Sequence, residues 1–501
     1  MIKELQKNSA QNQRRLLGFL NILPPGWERL GGSTMAFTIA NFGTKALSFV
    51  LLIPLYTRFL NPAEFGIVSL SEALAVAVST IYASAFEISI QRFYHRYTDP
   101  NLRRACVSTL LQVGAVVIIA VCTPTLLFGT YLHHLLPRFN VPFYPYVALA
   151  IGTFALNQVI SYRLVLYLAE QRAKAYMSLS LTLFFATAVG IITFVVLLRA
   201  GAVGMLLGKF VPTGIMALCA IFLLRKWLVL GWHRETLREF KRFSAPMSAY
   251  PFIVLGLNVA DRLILQRYRS MAEVGIYSLA YGVGMAMSLV ALSLYQSWTP
   301  LFYKTAALGK ALEWKNAKLL TVALLINVMF AIAGVAVSPL FVSRLLDSRY
   351  RDAAVLVPYI IVGYLLRSFT YSFHVPVLVA GKTLAISISG AIALIVNIAI
   401  NFAFIPRYGI YAAAYATVIA YAVELVAVYM FAQRVYPLPY PRTKLVAGMI
   451  LLALTLAVSE SSIGQNLLTV GLTALIAIGS VMYMIRGVTR WTEPRSSLIN
   501  V

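Results

Sequence analysis

Lys45, Arg163, Arg262 and Arg367 interrupt long apolar stretches of this chain, and Arg58 and Arg267 close two of those stretches. A cation in hydrocarbon is costly, so it faces a water-filled cavity or extends to the interface. Gathered in a cavity, such cations would hold an anion. Phosphate suits arginine because the guanidinium fork donates two charge-assisted hydrogen bonds. Lys45, Arg58, Arg163, Arg262 and Arg367 are therefore the candidate ligand-binding residues. The competing reading for those at span ends, Arg267 included, is anchoring to headgroups. Glu87, Asp261 and Glu424 are expected to pair with basic residues or to handle a coupling ion. This is the chemistry of binding and release, and no covalent step is implied.

The elements that carry these charges are set by composition. Of 501 residues, 60% are hydrophobic and 12% charged, and mean hydropathy is +0.79. A soluble domain carries about 25% charged residues. The apolar runs are about 20 residues long or more, the length of a membrane-spanning helix. A transmembrane barrel would need alternating segments of roughly 10 residues, which the runs do not show. The expected fold is an all-α polytopic membrane protein with about 14 transmembrane helices. Their expected limits are 35–57, 66–90, 105–130, 142–168, 175–198, 202–224, 243–265, 274–302, 317–342, 353–379, 383–405, 409–432, 445–459 and 465–485. Most of the 42 Lys and Arg residues then fall on one side, which places both termini in the cytoplasm. The first 30 residues are polar and basic without an apolar core and cleavage site. The first span is thus expected to act as the insertion signal. Tyr56, Tyr82, Tyr268, Tyr277 and Tyr408 lie near expected span ends and read as interfacial belts.

An internal echo organises the spans. Glu64-Phe-Gly-Ile-Val-Ser-Leu70 returns 209 residues later as Glu273-Val-Gly-Ile-Tyr-Ser-Leu279. Leu168-Ala-Glu-Gln171 and Arg199-Ala-Gly-Ala-Val-Gly204 have later counterparts at Val379-Ala-Gly-Lys382 and Arg407-Tyr-Gly-Ile-Tyr411. The shared offset predicts two pseudo-symmetric six-helix lobes, 35–224 and 243–432, as parallel repeats flanking a cleft. The echo itself is expected to lie just outside the cleft helices and to shape each lobe's first outer turn. Residues 1–34 form a basic cytoplasmic segment, 433–487 a further helix pair, and 488–501 a cytoplasmic tail. The basic linker 225–242 reads as an interfacial helix against anionic lipid or as a solvated connector.

Other chemistry finds little support. No Gly-rich phosphate loop stands between a strand and a helix. Cys106, Cys122 and Cys219 lack metal-ligand spacing, and His133-His134 have no partnering carboxylate motif. Neither an enzyme, a metal site nor a cofactor is expected. The net charge of +25 sits mainly in short loops, which fits lipid headgroups better than nucleic acid.

Three stretches carry a family resemblance. They are Ala40-Asn-Phe-Gly-Thr-Lys45 through Pro54-Leu-Tyr-Thr-Arg-Phe-Leu-Asn-Pro-Ala-Glu-Phe-Gly66, Asn258-Val-Ala-Asp-Arg262 with Glu273-Val-Gly-Ile-Tyr-Ser278, and Asn397 with Asn401 through Ile405-Pro-Arg-Tyr-Gly409. Over roughly residues 33–485 the chain resembles the polysaccharide transporter family of the multidrug, oligosaccharidyl-lipid and polysaccharide exporter superfamily, and within it an O-antigen or related repeat-unit flippase. The resemblance implies an inner-membrane protein that moves an undecaprenyl-pyrophosphate-linked oligosaccharide from the cytoplasmic to the periplasmic leaflet. It implies a cationic cavity, supporting Lys45, Arg58, Arg262 and Arg367. Lipid-linked oligosaccharide and membrane lipids would be its partners, with a polymerase and other glycan-assembly proteins as protein candidates. Two other readings stand: an ion-coupled exporter of small amphipathic compounds, and a non-transport scaffold for glycan assembly.

Overall fold

The computed structural model describes residues 51–131, 140–229, 231–247, 249–307, 313–461 and 467–489. Lys45 and most of the expected first span lie outside these residues. The described chain is helical. Its helices are α1 Ile53–Phe59, α2 Pro62–Thr80, α3 Ser84–Arg96, α4 Pro100–Leu127, α5 Ala148–Ala169, α6 Ala173–Ile191 and α7 Gly201–Leu224. After the linker come α8 Arg234–Met247, α9 Ala249–Tyr268, α10 Met271–Gly284, α11 Ala286–Ala307, α12 Glu313–Leu345 and α13 Ala353–Val379. The last three are α14 Thr383–Val435, α15 Arg442–Ser461 and α16 Leu467–Thr489. Among the described residues, 11 helical segments are long and apolar enough to cross a membrane.

Two expectations are corrected. The span expected over 66–90 breaks at 81–83, separating α2 from α3. The spans expected at 383–405 and 409–432 are present as two helices within α14, meeting at a kink at Gly409. That glycine has φ 59° and ψ −133°, a conformation open essentially to glycine alone. Arg269 serves the bend by donating from Nε to the Ile405 carbonyl at 3.3 Å and from Nη2 to the Pro406 carbonyl at 3.1 Å. The linker is not one helix over 225–242. It is a 3₁₀ turn, Arg225–Trp227, then a connector, then α8.

Both echo segments begin a helix in the same way. Asn61 Oδ1 accepts from the Glu64 N–H at 2.9 Å, and Glu64 Oε2 accepts from the Asn61 N–H at 2.9 Å. Ser270 Oγ accepts from the Glu273 N–H at 3.3 Å, and Glu273 Oε2 accepts from the Ser270 N–H at 3.2 Å. Each reciprocal pair satisfies two donors that a helix start leaves unmet. The other carboxylate oxygen of each glutamate reaches a left-handed glycine far along the chain. Glu64 Oε1 abuts Gly201 and Glu273 Oε1 abuts Gly409.

The echoes do more than shape an outer turn. They pack against each other, because α2 and α10 form a close contact. Neither Gly66 nor Gly275 has room for a side chain: a Cβ on the first would strike the Met271 carbonyl oxygen, one on the second the Pro62 carbonyl oxygen. Further contacts surround this crossing. Arg349 donates from Nη2 to the carbonyls of Thr57 at 3.3 Å and Arg58 at 2.9 Å. Tyr350 donates its hydroxyl to the Leu60 carbonyl at 3.1 Å. Asn140 binds Gln266 through its N–H and its side-chain amide, each at 3.3 Å.

Candidate functional site

The polar interior of the second half of the chain is built by four helices. From α9 come Asn258, Asp261 and Arg262; from α10, Tyr277 and Tyr281; from α13, Tyr364, Arg367, Tyr371 and His374; from the later part of α14, Thr417, Tyr421 and Glu424. These helices pack together because their other contacts are apolar, as in the cluster of Leu257, Ala393, Ala420 and Tyr421. A polar group left in such a core needs a partner.

Most have one. Asp261 is fully buried and accepts the Tyr277 hydroxyl. It also accepts from Thr417 Oγ1 at 3.5 Å and from the Arg262 N–H at 3.1 Å. Asn258 Oδ1 accepts the hydroxyls of Tyr281 at 3.0 Å and Tyr421 at 3.4 Å. On α14, Asn401 donates to Asn397 Oδ1 at 3.0 Å, both side chains being fully buried.

The sequence-predicted cations separate by partner. Arg367 is 2% exposed and faces Glu424, with Nη1 3.8 Å from Oε2. It donates from Nε to Tyr371 at 2.8 Å and lies over the Tyr421 ring at 4.8 Å. Its Nη1 and Nη2, and both Glu424 carboxylate oxygens, have no hydrogen-bond partner. Arg163 is also buried, pairing with Glu170 at 3.1 Å and stacking on Tyr167 at 3.7 Å. Arg262 is half-buried and stacks on Tyr281 at 4.6 Å. No acid lies within ion-pair distance of its guanidinium among the described residues, and its buried Nε has no hydrogen-bond partner. Arg58 and Arg267 are exposed.

The acids separate too. Glu87 accepts from Gln158 Nε2 at 3.1 Å. Glu424 faces Arg367, and Asp261 is met by hydroxyl and backbone donors. The structure therefore brings Asp261, Arg262, Arg367 and Glu424 into one neighbourhood of linked tyrosines, and puts Glu87 and Arg163 in the first half. Sequence reasoning missed a further pair, Lys209 and Glu72, whose Nζ and Oε1 are 2.5 Å apart. Opposite charges within two separate spans were the signal for it. It also misread Tyr82 and Tyr277, which are fully buried rather than interfacial.

Among the described residues, no group of three or more His, Cys, Asp or Glu could hold a metal ion. A groove of about 670 Å³ lies elsewhere, between α6 and α7, and is lined mainly by apolar residues such as Leu181, Phe185 and Ile215. It holds none of the candidate charges.

A family profile described as polysaccharide biosynthesis protein matches residues 30–306. No curated protein matches the chain in sequence. Among solved structures, the fold is similar to one titled lipid II flippase MurJ, inward closed conformation. The TM-score is 0.70 at 13% identity, covering 91% of this chain and 98% of that one. A multidrug resistance MATE family transporter of the MOP superfamily, in an inward-facing conformation, gives a TM-score of 0.51 at 14% identity, over 83% of this chain and 96% of that one. The Vibrio cholerae MATE transporter VcmN in the bent form gives 0.51 at 11%, over 81% and 96%.

Proposed function

Because this chain belongs to the polysaccharide biosynthesis protein family, we propose that it is an inner-membrane flippase for undecaprenyl-pyrophosphate-linked oligosaccharide or polysaccharide repeat units. The observation that carries this reading is Arg262. It is a half-buried cation at span depth, stacked on Tyr281 and with no acid within ion-pair distance among the described residues. An ion-paired arginine has its charge already met, whereas an unpaired one gains most from an arriving phosphate. Lys45 and Arg58 are assigned supporting contacts to the same anion. Arg367 and Arg163 are assigned to it only after release from Glu424 and Glu170.

In this reading the chain has fourteen spans, two six-helix lobes at 35–224 and 243–432, and a closing pair within 433–487. Both termini are cytoplasmic. The crossing of α2 and α10, with the Arg349, Tyr350 and Asn140 contacts, then lies on the periplasmic side and seals the cleft there. The pyrophosphate enters from the cytoplasm and meets Arg262, while the prenyl tail stays in lipid. Rocking of the lobes then exposes the headgroup outside, without covalent chemistry. Among the three acids, Glu87 and Glu424 have nitrogen partners. Asp261 is met by hydroxyls and a backbone N–H, so it is the acid we assign to a coupling cation.

The test is transport in vesicles containing the purified protein and a defined undecaprenyl-pyrophosphate oligosaccharide, followed by leaflet accessibility. Movement of that lipid, and slower movement of an uncharged analogue with the same glycan, is expected. Equal rates for both would remove the role given to the cations. Efflux of small amphipathic cations with no lipid movement would favour the exporter reading.

A further inference from the structure

The turn that joins the two halves presents a group of cations that the transport path does not use. Its connector is anchored rather than loose. Val229 donates its N–H to Ser108 Oγ at 2.8 Å, and its carbonyl accepts from Gln112 Nε2 at 2.5 Å. The His233 N–H donates to Thr109 Oγ1 at 2.9 Å. Helix α8 is then fixed on its inner side. Phe240 packs on Phe86 of α3 with ring centroids 4.7 Å apart, and Glu239 pairs with Arg96.

This anchoring decides which face looks outward. Arg234, Arg238, Lys241 and Arg242 are exposed, and Trp232 beside them is 57% exposed. With Glu239 already paired, Glu235 is the one acid left on the exposed face of α8. An interfacial helix that inserts into the bilayer does so with its apolar face. Here that face is occupied by Phe86, so insertion of α8 is not its role. The patch lies where the spanning helices α4 and α7 begin and end, the level at which tryptophan and basic side chains meet headgroups.

We propose that this face is a docking surface for anionic phospholipid headgroups, fixed to the first half by α4 and α3. The attraction is electrostatic, with Trp232 resting at the headgroup boundary. Each Lys or Arg close to an anionic surface strengthens binding roughly fivefold, and the effect falls away within a Debye length. The assignment is independent of what the protein transports.

The test uses the full-length purified protein with phosphatidylglycerol and phosphatidylcholine in equal amounts, and native mass spectrometry to count retained lipids. Preferential retention of phosphatidylglycerol is expected, weakening as ionic strength rises. The triple variant Arg238→Gln, Lys241→Gln, Arg242→Gln should lose at least about tenfold of that preference. The variant with Arg238→Lys and Arg242→Lys should keep it. Equal retention of the two lipids, salt-insensitive retention by the unmodified protein, or full retention by the triple variant would each overturn the proposal. The salt series reads the unmodified protein, so the question stays answerable if the triple variant does not fold.

Discussion

Gly66 and Gly275 meet backbone to backbone where α2 crosses α10. A Cβ on Gly66 would lie 3.1 Å from the Gly275 nitrogen, and one on Gly275 would lie 3.0 Å from the Gly66 nitrogen. The two glycines hold the same place in the two echo segments. Their missing side chains allow the capped helix starts to cross in contact. Small residues give helices in lipid this close approach.

Gly275→Ala should therefore push α2 and α10 apart, since the atoms in the way are backbone and cannot turn aside. Overpacking of this kind costs about 1–3 kcal/mol. Spin labels at Arg58→Cys and Arg267→Cys, both exposed positions, should report a longer and broader distance distribution in the alanine variant. An unchanged distribution would show that the crossing does not depend on glycine.

Arg349 is the second hold on the same crossing, through the carbonyls of Thr57 and Arg58. Asp347 Oδ1 accepts from Arg349 Nε at 2.8 Å and aims it. This bond holds the Asp347 carboxyl below the usual carboxylate range. A depressed folded-state value means that the contribution is present above the ordinary Asp pKa of about 3.9 and is lost as pH falls through the lower folded value. Arg349→Ala should raise thiol labelling of a cysteine at Arg58 at neutral pH. With Arg349 unmodified, a spin label already attached at Arg58→Cys should gain mobility only in acid below about pH 4. Equal labelling in both proteins at neutral pH would argue against the hold.

The partner sorting of the arginines predicts different phenotypes. Arg262→Gln should weaken substrate binding roughly 10- to 100-fold, the range for a hydrogen bond to a charged group, with little loss of thermal stability. Arg163→Gln leaves Glu170 buried with only Arg172 nearby at 3.3 Å, so it should lower stability more than binding. Thermal unfolding alongside lipid binding separates the two. The reverse pattern would mean that Arg262 is structural and Arg163 faces the ligand.

For Arg367 and Glu424, removing one partner strands the other in a buried site. Arg367→Met or Glu424→Gln alone should destabilise by about 3–5 kcal/mol, and the double change by less than either. Unfolding midpoints of the three variants read the coupling directly. Additive losses would show that the 3.8 Å pair contributes no interaction of its own.

Much of the architecture was legible in the sequence, because apolar runs of spanning length are a strong signal and most described helices fall on them. The break at 81–83 was not legible, whereas the interruption at Gly409 was placed between the spans 383–405 and 409–432. The form of the kink depends on what packs nearby: Arg269, in the turn between α9 and α10, donates to the carbonyls of Ile405 and Pro406. The echo marked a repeated helix start correctly, but a single chain does not reveal that its copies touch. Among the site residues, Arg163 lies two turns before Glu170, which caps the same helix, so the pair is local in sequence. Arg367 and Glu424 come from different helices, and their pairing is a property of the fold. Tyr277 looked interfacial by its place near a span end. It is instead the hydroxyl that Asp261 needs once that carboxylate is buried.

The central claim is that this protein moves a lipid-linked anion along a path that uses Arg262. The direct measurement is the rate at which a defined undecaprenyl-pyrophosphate oligosaccharide changes leaflets in vesicles holding either the unmodified protein or Arg262→Gln at matched folded amounts. The account predicts rapid exchange with the unmodified protein and at least about tenfold slower exchange with the variant. Equal rates would contradict the role of Arg262, and no exchange above protein-free vesicles would contradict the flippase reading itself.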